Sequence, residues 1–446
     1  MTKRTIHIGL DDTDSTRKGC TTYVAAVLVE KLLKFGIDFT DYPNLIRLNP
    51  NVPWKTRGNG ALCLRIQHDR ASEDKIKETV MSTVEEQSDL QYRGTDPGIV
   101  FLGTPRIPRE IQVFAKNTIT GITNLRDAVK LLGKFNGEAC AFKNGRGIIG
   151  ALAAVGETLQ GDHTYEIIAY RTSENYGSKR KVDEASIFEM DKATRPYTFN
   201  NVDTEKKRII ITPRGPDPIL FGIRGETPDT VKTAFRMVKV LEPVERWVIF
   251  RTNQGTDAHL RRVKELNQIS SYSPVIAKGT VSKGPRMIRG RHVIFTVRDR
   301  NSEVDCAAYE PTGALRGAAK KLIVGDRLEV YGGVRAPSQN NPLTINLEKI
   351  RVPKLAQQVV YRNPVCPTCG KRLKSMGLNK GYRCDKCGAR YKELTKAEIR
   401  VKRELRKGLY ITSTRSQRHL TKPYGRYGME KRHQNVKGLI KEWHFP

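Results

Sequence analysis

A chain of 446 residues, 38% of them hydrophobic, is long enough for several separately cored domains at about 150 residues each. Its apolar runs fall short of the ~18 consecutive residues that read as a membrane span. The formal net charge of +32, from 79 Lys and Arg against 47 Asp and Glu, is spread without long single-sign blocks and points to a polyanionic partner, most simply nucleic acid. A strand begins almost at once, which argues against a secretory leader. Of the eight cysteines, four cluster near the C-terminal end, a pattern of metal binding plus reduced thiols in a cytoplasmic protein.

Thr5 to Leu10 alternates polar and apolar residues as a short strand and runs into Asp11-Asp12-Thr13-Asp14-Ser15. A cationic, hydroxyl-rich loop follows, and Thr21-Thr22 after Cys20 opens an amphipathic helix with Val24, Val27, Leu28, Leu32 and Leu33 on one face. In an extended segment Asp12 and Asp14 point to the same side, with Asp11 turning in at the strand end. Such carboxylates suit Mg2+, which takes one or two of them together with substrate phosphates. The helix start behind them offers free N–H groups and a positive dipole end to a phosphate. Capping would need only one such side chain, so a metal–nucleotide site is the stronger reading.

Leu45 to Leu48 reads as a strand, and Asn49 to Gly60 as a rigid hydrogen-bonding loop rich in Pro, Gly and Asn. Within it Lys55 and Arg57 are placed to neutralise phosphates, and the glycines let the backbone come close. Ala61 to Gln67 is a strand, and Glu73 to Glu86 an amphipathic helix. Asp96 to Val129 is a Gly/Pro-punctuated strand followed by helical segments, the last of them Asn124 to Leu132. Ala139 to Lys143 is a strand, and Asn144-Gly145-Arg146-Gly147-Ile148-Ile149-Gly150 then matches G-x-G-x-x-G. A dinucleotide site is nevertheless rejected. No earlier strand–helix unit of that type precedes it, and only Glu166 stands near the required acidic position. A Walker A sequence is also missing, so an ATP site here is not of the P-loop kind. What remains is close backbone approach at the glycines and an Arg146 aimed at an anion.

His163 to Arg171 is a strand in which His163 reads as a hydrogen-bonded structural residue. Gly177 to Arg195 is a charged loop or short helix. Arg208 to Thr212 and Ile219 to Glu226 are strands, Pro228 to Val240 a helix and Glu245 to Thr252 a strand, the order of a split β-α-β unit. Arg224, between glycines, repeats the Arg146 theme. From Ser273 the chain turns all-β: strands at 275–281, 292–298, 304–309, 327–334 and 345–352, with a helix at 315–322 between the third and fourth. This is the pattern of an OB barrel, with basic Lys283, Arg286, Arg289 and Arg291. Cys366-Pro-Thr-Cys369-Gly and Cys384-Asp-Lys-Cys387-Gly, with fourteen residues between Cys369 and Cys384, predict a four-thiolate zinc ribbon. With no coordination position left open, the zinc is structural. Thr395 to Lys407 reads as a very basic helix. The remainder, with Tyr410, Tyr424, Tyr427, Trp443 and Phe445 among its cations, suits either phosphate contact with base stacking or a flexible solubilising tail.

The order of these pieces is specific. Asp-Asp-Thr-Asp with Cys-Thr-Thr, Lys-Thr-Arg-Gly-Asn-Gly, Asn-Gly-Arg-Gly-Ile-Ile-Gly-Ala, Phe-Gly-Ile-Arg-Gly, an OB barrel and a zinc ribbon together resemble the archaeal 2-agmatinylcytidine synthetase family over roughly residues 1–395. The resemblance implies a multidomain α/β architecture: a kinase-like ATP-binding domain (1–118), a ferredoxin-like domain (119–268), an OB-fold (272–353) and a zinc ribbon (360–394), with the basic tail (395–446) outside it. It implies that ATP phosphorylates the 2-oxo group of the wobble cytidine in the isoleucine tRNA with a CAU anticodon, that the primary amine of agmatine displaces the phosphate, and that ATP ends as AMP.

By that resemblance Thr21 is the autophosphorylated threonine, beside a catalytic Asp11, Asp12 and Asp14. Thr22, Lys55, Arg57, Asn59, Gly60, Asn144, Gly145, Arg146, Gly147 and Arg224 are candidate nucleotide contacts. Arg146 and Arg224 serve either the transferred phosphate or the RNA. ATP, Mg2+ and Zn2+ are the expected cofactors, and tRNA and agmatine the partners. No membrane and no obligate protein partner is expected. The competing class is a non-catalytic OB-and-zinc RNA binder, against which the acidic cluster argues.

Overall fold

The computed structural model describes residues 3–339, 341–432 and 438–446. Its first two domains share one sheet. The N-terminal part comprises β1 (Arg4–Asp11), α1 (Thr21–Lys34), β2 (Asn44–Arg47), β3 (Gly60–His68), α2 (Glu73–Gln87), β4 (Gly98–Leu102), α3 (Arg109–Thr120), α4 (Leu125–Lys134), β5 (Glu138–Ala141) and α5 (Gly147–Gly156). The second part adds β6 (Thr164–Arg171), α6 (Glu184–Thr194), β7 (Ile219–Gly225), α7 (Pro228–Met237) and β8 (Val244–Thr252). The main strand order is β5-β4-β1-β3-β2-β8-β6-β7. Neighbours run antiparallel except β2 and β8, which pair in parallel with Asn44 opposite Arg251 and Leu45 opposite Thr252.

β1 is buried on both faces, so its period-two signal marks a central strand. Ile6, Ile8 and Leu10 face α1 and α2 in a core that continues through Tyr165, Ile167 and Phe221 of the second domain. On the other face Val100 and Leu102 pack with Ile111, Leu152 and Val155 of α3 and α5. α5 lies directly on the strands because they carry glycine there. A Cβ on Gly9 would stand 2.2 Å from the Ala151 carbonyl oxygen, and one on Gly98 2.1 Å from the Ile148 nitrogen.

The barrel comprises β9 (Pro274–Ile288), β10 (His292–Arg298), β11 (Glu303–Ala308), α8 (Ala314–Lys320), β12 (Arg327–Arg335) and β13 (Thr344–Lys354). It closes through β9–β12 and β11–β13 pairing, with its helix between the third and fourth strands as expected. After it β14 (Gln358–Arg362) leads into the cysteine ribbon, whose short strands are Lys374–Ser375, Tyr382–Arg383 and Arg390–Tyr391.

Two C-terminal expectations are corrected. The predicted helix over 395–407 is instead a strand, β15 (Ala397–Val401), paired antiparallel with β14. The alternation Ala397-Glu398-Ile399-Arg400-Val401 has period two, and that pattern prevails over the helical propensity of the flanking cations. Over its described residues the tail is not a loose solubiliser. After β16 (Gly408–Ile411) joins β13, the chain runs back over the ferredoxin-like domain as a strap.

Arg415 meets Asp203 at 3.0 Å, Lys431 meets Glu226 at 2.7 Å, and a fully buried Arg426 is held by Glu226 and Asp162. Trp443 is only 5% exposed, wedged against Phe39 and Tyr42, and His444–Phe445 adds to β8. Arg415, Arg426 and Lys431 are thus held by protein carboxylates, while Tyr424 stays exposed. Trp443→Ala should cost about 3–5 kcal/mol, as deletion of a buried aromatic does. Denaturant titration of the full chain measures it, and a loss under about 1 kcal/mol would mean that the strap is not docked in solution.

Candidate active site

A cavity of about 350 Å³ opens at the junction of the two domains. Its floor is the end of β1 and the start of α1, and its walls are the 49–60 loop, α5, Glu166 on β6, Arg224 on β7 and, from the strap, His419. The strand ends at Asp11, whose carboxylate lies on α5 where only glycine fits. A Cβ on Gly150 would be 1.8 Å from Asp11 Oδ2. Asp12 then adopts a left-handed φ of 60°, which breaks the alternation expected to align it with Asp14.

The two side chains in fact take different partners. Asp12 Oδ2 accepts from Arg146 Nε at 2.8 Å, and Asp14 Oδ2 from Arg57 Nε at 2.8 Å. Arg57 also reaches Asp217 at 3.1 Å, so it spans the two domains. Burial, with Asp12 and Asp14 nearby, pushes the Asp11 carboxyl well above the usual range. Burial also outweighs the Arg146 pairing and lifts Asp12 to about 7.

The sign of the linkage is definite. A carboxyl whose pKa is higher folded than unfolded favours folding while protonated, and that contribution is lost as pH rises from the unfolded value near ~4 towards 7. Asp12→Asn, neutral throughout, should therefore melt above the parent at pH 8 without divalent cations and close to it at pH 4. Equal melting shifts at both pH values would show that Asp12 is not strained by burial.

Thr21 is the first residue of α1, and its hydroxyl meets that of Thr13 at 3.1 Å. Cys20 Sγ lies 3.0 Å from the Thr22 hydroxyl, and burial pushes that thiol up. Asp11, Asp12, Asp14, Thr21, Thr22, Lys55, Arg57, Asn59, Gly60, Arg146 and Arg224 all line the cavity. Asn144, Gly145 and Gly147 do not line it. The Gly145 and Gly147 N–H groups donate to Asp96, at 2.9 and 3.0 Å, and a Cβ on Gly147 would lie 2.3 Å from the Gly98 nitrogen. The close approach at Gly147 is to the protein's own strands, while Gly145 takes a left-handed φ of 84°.

The structure also brings in residues that sequence reasoning did not assign to the site: Arg47, Glu166, Asp217 and His419. Glu166 accepts from Arg224 Nε at 3.0 Å, and Arg224 Nη2 donates to His419 Nδ1 at 2.9 Å. A charged Arg47 in an otherwise apolar strand was a readable signal. His419 had none, since its place depends on the fold of the whole strap.

The four ribbon sulfurs lie within 4.8 Å of one another, the only such group of three or more ligands among the described residues. Cys366–Cys387 and Cys369–Cys384 are 3.6 and 3.4 Å apart, near the ~3.8 Å edge of a tetrahedron with Zn–S of about 2.3 Å. Gly370 and Gly388, at φ of 69° and 75°, turn each knuckle, and their N–H groups return to the Cys366 and Cys384 carbonyls at 2.9 and 3.0 Å. The donor set fits zinc. Metal analysis should find about one zinc per chain. The double change Cys384→Ser and Cys387→Ser should lose the metal, unfold the ribbon and weaken tRNA binding; full metal content in the variant would refute this ligand set.

A carboxylate-floored, arginine-walled cleft beside a helix N-terminus, carried on one body with an OB barrel and a four-thiolate ribbon, defines a multidomain nucleic-acid-handling protein. The comparisons narrow that class. Family models match for the TiaS TCKD domain over residues 7–139, the TiaS FLD domain over 145–259, an OB-fold nucleic acid binding domain over 274–353 and the TiaS C-terminal zinc ribbon domain over 363–405. The chain belongs to the TiaS family.

Its relatives include the isoleucine-2 tRNA 2-agmatinylcytidine synthetase of Methanocaldococcus jannaschii, 44% identical over 93% of this chain and 97% of that one. The synthetase of Pyrococcus horikoshii is 41% identical over 94% and 96%. Among solved structures, a complex of TiaS with isoleucine-2 tRNA and ATP is 38% identical with a TM-score of 0.87, covering 98% of this chain and 99% of that one. A complex of TiaS with the same tRNA, AMPCPP and agmatine is 36% identical with a TM-score of 0.83, covering 94% and 96%.

Proposed function

We infer that this chain uses ATP to join agmatine to the 2-oxo carbon of the wobble cytidine in the isoleucine tRNA with a CAU anticodon, forming 2-agmatinylcytidine. The observation that carries the reading is the near end-to-end match to synthetases of that name, together with the fold of a complex holding isoleucine-2 tRNA, an ATP analogue and agmatine. A cytosine 2-oxo group leaves poorly until it is phosphorylated. Phosphorylation forms the C2–O–P linkage, and the primary amine then forms C2–N, giving up its proton to solvent, as phosphate departs with the old oxygen. ATP ends as AMP, so a second phosphoryl group also leaves the nucleotide and is taken by water as phosphate.

Phosphoryl transfer asks a protein mainly for position and charge, and the cleft has both. In this reading Thr21, at the first turn of α1, is the phosphoacceptor. Arg57 and Arg146 meet phosphate oxygens, Lys55 guards the rim, Arg224 faces the opposite wall, and Asn59 and Gly60 shape the loop. Asp11, Asp12 and Asp14, clustered at the strand end with Asp11 and Asp12 desolvated, are fit to hold Mg2+, with Asp12 and Asp14 as its ligands. Bound there, Mg2+ would neutralise developing phosphate charge. The target cytidine must leave its stack to enter the cleft.

The same reading divides the chain into a kinase-like domain, a ferredoxin-like domain, OB-fold, ribbon and strap. The pairing of β5 with β4 supports carrying the kinase-like domain past the expected residue 118. The expected site of action is the cytoplasm, and among the described residues no helix is long and apolar enough to cross a membrane.

Incubation with ATP, Mg2+, wobble-cytidine tRNA and labelled agmatine, followed by digestion to nucleosides, should place label in a modified cytidine. Labelled spermidine should give none, and Thr21→Ala should lose both the label and any protein-bound phosphate. ATP consumption with unlabelled cytidine would leave a tRNA-dependent ATPase of another purpose.

A further inference from the structure

Each guanidinium in the cleft has a carboxylate partner except one. Arg57 is paired with Asp14 and Asp217, Arg146 with Asp12, and Arg224 with Glu166. The Arg47 guanidinium makes no hydrogen bond or ion pair with any described residue, and its Nε is sealed from solvent. The Arg47 backbone is clamped on both sides by Asn253, whose Oδ1 accepts from the Arg47 N–H at 2.8 Å while its Nδ2 donates to the Arg47 carbonyl at 2.9 Å.

The guanidinium lies against Gly58 and Gly60, where a Cβ would stand 2.8 and 2.9 Å from Nη1. These glycines keep a berth for the arginine. Glu166 is close enough to influence it, but its oxygens already accept from Arg224 and Gln254. Burial pushes the Arg47 pKa down to about 10, the mark of a cation without adequate compensation.

His419 stands beside it. A Cβ on Gly58 would be 3.0 Å from His419 Nε2. Arginine can only donate, so the bond from Arg224 Nη2 makes Nδ1 the acceptor and leaves the proton on Nε2. Burial and the neighbouring Arg47, Arg224 and Lys55 keep the ring neutral. Its Nε2–H has no acceptor among the described residues, and the strap holds it in place because the Gly255 N–H donates to the His419 carbonyl at 2.8 Å. Lys55 closes the rim, its ammonium bonded only to the Arg57 carbonyl.

We propose that Arg47 and His419, with Lys55 at the rim, form a phosphate subsite of the cleft, separate from the carboxylate cluster. An unpaired, partly desolvated guanidinium is costly to keep. A phosphate supplies both its countercharge and oxygens enough for the imidazole N–H and the ammonium. The proposal rests on the reading of the cleft as the place where RNA and nucleotide meet, so the phosphate belongs either to the RNA backbone or to the nucleotide.

The test uses the full chain without divalent cations, with Arg47→Met, Arg47→Lys and His419→Ala, and no agmatine in any measurement, so failure of agmatine transfer would leave it intact. Sodium pyrophosphate should raise the melting temperature of the parent and of Arg47→Lys above that in sodium chloride of equal ionic strength. Arg47→Met should melt above the parent without ligand and lose the pyrophosphate response, and His419→Ala should weaken it.

Binding of a transcript of the isoleucine tRNA with a CAU anticodon across a salt series separates the sources. A slope of log K against log salt that shrinks by about 1 in Arg47→Met, with ATP affinity unchanged, assigns the phosphate to RNA. Weakened ATP binding with an unchanged slope assigns it to the nucleotide. An Arg47→Met protein with the parent's pyrophosphate response, salt slope and ATP affinity overturns the proposal.

Discussion

The parallel splice between Asn44–Arg47 and Val244–Thr252 is the constraint on which the rest of the molecule depends. Parallel strands need a long crossover, and here the crossover is nearly the whole of two domains. The N-terminal and ferredoxin-like units are therefore not beads on a linker. They share one hydrogen-bonded sheet and one continuous core. Asn253 extends the splice beyond the last strand pair by offering its side-chain amide to Arg47 as a further peptide would. A cleft between two independently moving domains would vary in width. This one is set by a sheet register, so the Asp14–Arg57–Asp217 bridge across it can have a fixed length.

Charge in the cleft follows from that rigidity. The chain carries a large positive surplus, yet the cleft floor is acidic, and each carboxylate that a cation would otherwise neutralise is met by an arginine from another element. These pairs keep buried charge tolerable before a substrate enters, and they hold guanidinium groups in the cleft that phosphates are proposed to enter. The desolvation that raises the Asp11 and Asp12 carboxyls would also strengthen the grip of a divalent cation once phosphates arrive.

What could be read from the sequence was whatever is local in the chain. The strand–helix junction at Asp11 to Thr21, the five barrel strands with their helix and the paired cysteine knuckles each announce themselves within a few dozen residues. Failures came where distant contacts decide. Alternation could not foresee that Asp12 would turn left-handed to meet Arg146, more than a hundred residues away. The glycine at 147 looked like part of a phosphate cradle but seats a helix on β1 and β4, a use that only the sheet order reveals. The C-terminal cations looked solvent-bound because their partners, Asp203, Glu226 and Asp162, lie in a domain already completed upstream. His419 was unreadable for the same reason.

The strap also imposes an order in time on a chain made from its N-terminus. The ferredoxin-like domain can form its strands while the barrel and ribbon are still being synthesised, but the edge of β8 that receives His444–Phe445 stays bare, and Glu226 waits for Arg426. The imidazole that completes the cleft wall arrives only with residue 419. On the ribosome, then, a nascent chain holds the carboxylate cluster well before it holds the finished cleft.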